Sequence, residues 1–354
     1  MKKLLSRSIE AVAIRVSKYL ALCAALVVAA IPGTATADEV RVLKFAQFAP
    51  PTSDLAPLYR DVAEDYAKSS GGTLKLEMHW GSSMGPTPRL YHLVRDGVAD
   101  MSFYHPALTP DLFPLHQVLH TSYLVPNPMV GARVAMSLVP KYLEKEHKGV
   151  KILSFLATDP DWLYTSKKPV RTLADLRGLR IRVASRSAGK LLAQAGAVPV
   201  NIPPTEMAEA LQRGTIDGII TSAAGLHQFR LGELLKYRSP LIGGVNTFPW
   251  AINQKVYDEL TPKHRTIVDR RSGMSETIKT AQIWMTARET YWADYLKSSK
   301  IEDVEISPEL DQRMRQLAAQ ETEELLQSLE SKGLPARSFY AEAKALAAKY
   351  AKQN

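Results

Sequence analysis

From residue 40 onward, apolar residues recur with two periods, one near 2 and one near 3.6, the marks of strands and amphipathic helices. Residues 40–46 read as a strand. Leu55, Leu58, Tyr59, Val62, Ala63 and Tyr66 then make a helical stripe that Gly71-Gly72 ends. A strand over 73–79, a helix over 86–96 and a strand over 101–104 complete a βαβαβ unit, which predicts a parallel sheet covered by helices.

The same grammar restarts at residue 150. A strand over 150–155 is followed by Thr172-Leu173-Ala174-Asp175, the capping-box start of a short helix, and by a strand over 179–183. Helix, strand, helix and strand follow over 187–195, 198–201, 205–213 and 216–221. Gly97-Val98-Ala99-Asp100, between a helix and a strand of the first half, is echoed by Gly214-Thr215-Ile216-Asp217 in the second. The expected fold is α/β with two lobes on mixed, mostly parallel sheets. One lobe takes 38–157 with about 250–275, and the other takes 158–249 with about 276–354. Crossings near 156–162 and 239–250 are the expected hinge strands. Thr261 caps and Pro262 opens a helical segment running to about residue 297, roughly 50 Å at about 1.5 Å per residue, long enough to brace both lobes. Gly273 is where it can bend or break. Helices over about 308–330 and 335–352 close the chain.

Composition changes this picture mainly at the N-terminus. Lys2, Lys3, Arg7, Arg15 and Lys18 precede a twelve-residue apolar run over 20–31, and Ala35-Thr36-Ala37 follows. That order reads as a secretory signal peptide over 1–37. A membrane anchor needs about twenty apolar residues, and Pro32-Gly33 interrupts this run. A lipid-modified Cys23 fits poorly, because Leu22 before it is bulky and the apolar run continues past it. Removing the segment lowers the formal charge from +9 to +5, as 40 basic against 35 acidic residues, and takes the lone cysteine with it. No membrane insertion is expected of the remainder. Its positive charges are scattered among acids, as in 141–148, so no nucleic-acid partner is expected. A cysteine-free exported chain must be stabilised by its cores.

Enzyme signatures are mostly absent: there is no G-x-S-x-G, no H-E-x-x-H and no phosphate loop. No metal and no cofactor is expected. His116 and His120 have helical i, i+4 spacing, but no carboxylate repeats the pattern, and a structural role fits them better. Ligand crevices of parallel sheets lie beyond the C-terminal strand ends. In Leu179-Arg180-Ile181-Arg182-Val183 the apolar residues alternate inward, leaving Arg180 and Arg182 on the opposite face. Arg182 is either a carboxylate clamp or an exposed, salt-bridged arginine. Phe48, Tyr104, His105, Trp162, Phe248 and Trp250 also fall near strand ends, as core or as pocket wall. Asp161 can cap a turn, pair with an arginine or meet a cationic ligand group.

Residues 175–183, read Asp-Leu-Arg-Gly-Leu-Arg-Ile-Arg-Val, resemble the solute-binding proteins of tripartite ATP-independent periplasmic (TRAP) transporters, the DctP-like family. The likeness extends to Lys44-Phe45-Ala46, Trp80-Gly81-Ser82-Ser83-Met84-Gly85, 97–100 and 205–218, and covers about residues 40–300. It implies a two-lobed periplasmic binding protein, not an enzyme, that closes on a small organic acid and hands it to TRAP-type membrane permease subunits. It also implies that Arg182 clamps the ligand carboxylate. Two departures count against a second anionic group on the ligand. Asp161 stands where many members carry an arginine, and Thr221-Ser222-Ala223 stands where many have Glu-Asn-Pro, which brings Ser222 to the site. A monocarboxylate with an apolar or aromatic body, or with a polar or cationic substituent near Asp161, is expected. The rival readings are a periplasmic hydrolase or isomerase using His105 and Asp161, and a binding protein serving a sensor kinase.

Overall fold

The computed structural model describes residues 39–353 except Asp54, Ile242, Gly243, 288–292 and Ser299. The signal-peptide reading and Cys23 lie outside the described residues. From Arg41 to the end the chain forms one unit. It begins with β1 (Arg41–Gln47), α1 (Ala56–Ser70), β2 (Leu74–His79), α2 (Leu90–Arg95), β3 (Met101–Phe103), α3 (Pro128–Leu138) and β4 (Val150–Ala157). A second sheet is then built from β5 (Trp162–Thr165), α4 (Leu173–Leu176), β6 (Arg180–Val183), α5 (Arg186–Gln194), β7 (Val198–Asn201), α6 (Met207–Gln212), β8 (Gly218–Thr221), α7 (Ala223–Gln228) and β9 (Tyr237–Ser239). The chain returns through β10 (Thr247–Asn253) to α8 (Gln254–Glu259), α9 (Pro262–Arg270) and α10 (Gly273–Ala287). It ends with α11 (Ala293–Ser298), β11 (Glu302–Asp303), α12 (Pro308–Glu330) and α13 (Ala336–Ala351).

The first sheet has the order β2-β1-β3-β10-β4 and the second β11-β9-β5-β8-β6-β7. Both are mixed. The βαβ units supply the parallel pairs β1–β2, β1–β3, β6–β7 and β6–β8, whereas β10 runs antiparallel between β3 and β4, and β5 between β8 and β9. Each sheet buries apolar side chains on both faces, as helices on either side require. The fold is thus α/β with two lobes.

The Gly-x-x-Asp echo is one device used twice. Asp100 exchanges backbone bonds with Lys44 on β1 while its carboxylate accepts the Lys44 N–H at 2.7 Å. Asp217 does the same to Arg180 on β6, accepting its N–H at 3.0 Å. Each aspartate pins the strand that enters its lobe to the neighbouring one.

The single helix expected over 262–297 is a correction. Thr261 does cap, accepting from the His264 N–H, but α9 stops at Arg270 and α10 starts at Gly273, whose φ of +75° breaks the helical path. The helix that binds both lobes is α12. Leu310, Met314 and Leu317 pack in the second lobe, and Leu326 and Leu329 in the first. Its 23 residues reach about 35 Å at about 1.5 Å each.

Candidate ligand-binding site

The chain passes between the sheets over 158–161 and 240–246, and these crossings are bonded to each other. Thr158 N–H donates to the Asn246 carbonyl at 2.9 Å, and Asn246 N–H donates to Thr158 Oγ1 at 3.0 Å. Beside them, between the lobes, lies a cavity of about 60 Å³. A water-sized group needs roughly 10–15 Å³ of such space, so the cavity holds a small molecule.

Arg182 enters it from β6. Ile181 and Val183 alternate into the core, leaving both arginines of the strand on the other face. Their fates differ. Arg180 is bound by Asp217 through Nε and Nη2 and gives a further bond to the Gly214 carbonyl. Arg182 is 3% exposed, its Nε donates to the Ile202 carbonyl at 3.0 Å, and its buried Nη2 has no partner. Burial lowers its pKa to about 10, the direction expected of a cation without a counter-ion. It is the only lysine or arginine among the residues described as lining the cavity.

A layer of phenyl rings faces it. Phe103 and Phe248 stack at 5.1 Å, and Phe48 lies 6.1 and 5.9 Å from them. The ring of His105 covers Phe248 at 4.3 Å. Thr221 and Ser222 close the second-lobe side, where Ser222 also caps α7 by accepting the Gly225 N–H.

A polar chain runs along the crossings. Asn246 Nδ2 donates to Asp161 Oδ2 at 2.7 Å, and Asn246 Oδ1 lies 3.2 Å from His105 Nε2. Burial lowers the His105 pKa to about 3, so the ring is neutral, and raises that of Asp161 to about 7. Asp161 forms no ion pair with Arg182, yet each feels the charge of the other.

Of the nine residues expected at the site, Arg182, His105, Asp161, Phe48, Ser222 and Phe248 line the cavity. Tyr104, Trp162 and Trp250 do not. Strand parity sends Tyr104 away from its neighbours Phe103 and His105, to bond His147 Nδ1 in the core. Trp250 is two residues deeper than Phe248 and packs between Phe45 and Tyr59. Trp162 lies under the Arg238 guanidinium at 4.7 Å. Sequence reasoning missed Asn246, Phe103, Gln47 and Trp284, which also line the cavity. An amide inside the apolar run 245–252 was the one available signal for Asn246, because a buried amide must find partners. The rings of His116 and His120 both bond Thr247 Oγ1, at 2.7 and 3.0 Å.

Comparison with known proteins gives concordant findings. The family model described as bacterial extracellular solute-binding protein, family 7 (DctP), matches residues 45–345. A solute-binding protein of Albidiferax ferrireducens is 28% identical over 221 residues, which span 60% of this chain and 64%, just under two thirds, of that protein. The crystal structure of a TRAP solute binding protein from Rhodoferax ferrireducens in complex with copurified benzoate matches with a TM-score of 0.83 at 26% identity, covering 88% of this chain and 99% of that one. A TRAP periplasmic solute binding protein from Bordetella bronchiseptica with bound (R)- and (S)-mandelate matches with a TM-score of 0.79 at 25% identity, with the same coverage.

Proposed function

Since this chain belongs to the bacterial extracellular solute-binding proteins of family 7, we propose that it captures a small aromatic monocarboxylate in the periplasm and delivers it to a TRAP-type membrane permease. The observation that carries the reading is the buried Arg182 guanidinium, whose Nη2 has no partner, facing three stacked phenylalanines across a small cavity. A carboxylate supplies the missing acceptor with a charge-assisted bond, and an aryl body fills the apolar side. Benzoate and mandelate, bound by two structural relatives, have this form. A second carboxylate on the ligand would meet Asp161 and a neutral His105, with no other cation in the lining, so dicarboxylates are disfavoured.

The function is binding rather than catalysis. A histidine base oriented by an aspartate requires the two to touch, and here Asn246 stands between His105 and Asp161. Among the described residues no helix is long and apolar enough to cross a membrane, so delivery rests on docking to permease subunits.

Titration calorimetry with benzoate tests the reading. Wild type binds one equivalent, and Arg182→Ala weakens binding by roughly 30-fold or more, the cost of about 2 kcal/mol or above for removing one partner of a buried charge pair. Equal affinity in the variant overturns the clamp, and consumption of the bound acid overturns the transport reading.

A further inference from the structure

Resting on that reading, two further buried polar atoms of the cavity lining, Gln47 Nε2, which can only donate, and His105 Nδ1, have no hydrogen-bond partner among the described residues. His105 is 5% exposed, lines the cavity and has a buried Nδ1 with no partner. Which kind of group Nδ1 presents is fixed by a chain of three residues. The Asn246 amide turns its Nδ2 to Asp161 Oδ2, which accepts at 2.7 Å. Asn246 then offers Oδ1 to the imidazole, and an amide oxygen accepts, so Nε2 carries the proton. A neutral ring protonated at Nε2 has a bare lone pair at Nδ1. The ring stays neutral because burial opposes its charge and Arg182 repels it. The Phe248 ring, centred 4.3 Å from the imidazole, is apolar and supplies no donor to Nδ1.

We propose that the physiological ligand is a hydroxylated aromatic acid, its carboxylate on Arg182 and its hydroxyl donating to His105 Nδ1. A hydroxyl fits this site better than an ammonium. The lone pair is a single neutral acceptor, whereas an ammonium brings three donors and a full charge into a cavity that already holds Arg182. Asn246 and Asp161 are positioning residues that set the tautomer, and His105 is the residue that reads the hydroxyl. A site built to bond a hydroxyl discriminates against the analogue lacking it, because its own buried acceptor is then left unpaired.

The test is calorimetry of the full chain, freed of bound ligand, with benzoate, 3- and 4-hydroxybenzoate, the two corresponding methoxybenzoates and 4-(aminomethyl)benzoate. At least one hydroxybenzoate binds about tenfold or more tighter than benzoate, and its methyl ether loses the gain. In His105→Phe the ratio of hydroxybenzoate to benzoate affinity falls to near one, whatever happens to benzoate affinity itself. In Asn246→Leu the same ratio falls, a readout that general damage to the fold would not move, since it weakens both acids together. Equal affinities for benzoate and both hydroxybenzoates in the wild type overturn the inference, independently of how the variants fold. So does a hydroxyl gain that persists in His105→Phe, or a preference for the aminomethyl acid. In each of those outcomes the reading of an aromatic-acid binding protein survives; it fails separately if no carboxylate in the series binds.

Discussion

His105, His116, His120 and His147 are all buried in the first lobe, and the last three are linked to one another. His147 bonds Tyr104 and His116, and His116 shares the Thr247 hydroxyl with His120. In that chain His116 and His147 bond through both ring nitrogens, one as donor and one as acceptor, which only neutral imidazoles can do. Burial is the first cause in every case: it lowers His105 and His147 to about 3, His120 to about 4, and His116 well below 6.5. The unfolded chain takes up protons below about pH 6.5 that the folded chain refuses, so these four groups stabilise the fold above that pH and lose the effect as pH falls. Glu146 and Asp161 act with the opposite sign, since burial raises both to about 7, and they favour the fold at low pH. Glu321 is a third carboxyl that burial raises, so four histidines against three carboxyls leave a net excess of about one proton bound on unfolding between about pH 4.5 and 6.5. Thermal melts should therefore fall steadily from pH 6.5 to 4.5, and Glu146→Gln, which removes an opposing group, should steepen the fall. A melting temperature that is flat or rises on acidification would refute this account. At this scale strand alternation put both Arg180 and Arg182 on the face away from the core, and the family resemblance, not the alternation, chose Arg182 as the clamp. Asn246 was not legible, since its partners Asp161 and His105 lie 85 and 141 residues away in the chain.

Among elements, periodicity carried the regular segments, and α1, β2, β7 and α12 lie within a residue or so of where the apolar spacing puts them. Strands with few residues and no turn signal were harder. Neither β5 nor β9 shows enough alternation to be read: β5 is fixed by antiparallel pairing with β8 and β9, and β9 by β5 and by parallel pairing with β11. The break before α10 follows from one glycine, and the bracing role moved to α12, whose apolar stripe continues from one core into the other. The crossing over 240–246 depends on a different kind of glycine. A Cβ at Gly244 would sit 2.0 Å from the His120 carbonyl oxygen and 2.6 Å from its carbon, and both are backbone atoms that cannot swing aside. Gly244→Ala should cost about 3 kcal/mol or more in denaturant unfolding. Asp161 N–H bonds the Gly244 carbonyl, so the same substitution should also weaken aromatic-acid binding although residue 244 does not line the cavity. Wild-type stability and affinity in the variant would show that the crossing is looser than this packing implies.

At the level of the whole molecule the cavity is lined by residues of both lobes: Arg182 and Ser222 from one, Phe48 and His105 from the other, none more than 6% exposed. A ligand held by both sets couples binding to closure, through contacts that exist only in the closed form. The crossings and α12 join the lobes at one side and leave rotation about that side as the available motion. Beside α12, Arg186 at the start of α5 reaches Asp111 of the first lobe, its Nη2 3.1 and 3.3 Å from the two carboxylate oxygens. Both side chains are largely exposed, at 54% and 82%, so this pair is worth only about 0.2–1 kcal/mol. It can hold the lobes together briefly, but it cannot close them without ligand. Two outcomes separate the latch from the clamp. Small-angle scattering should show the radius of gyration shrink when aromatic acid is added to ligand-free wild type and to Arg186→Ala, but not to Arg182→Ala at the same concentration. Stopped-flow binding should give Arg186→Ala a dissociation rate raised by at most about fivefold, with association little changed. If scattering from the wild type is indifferent to saturating ligand, the lobes do not close on it.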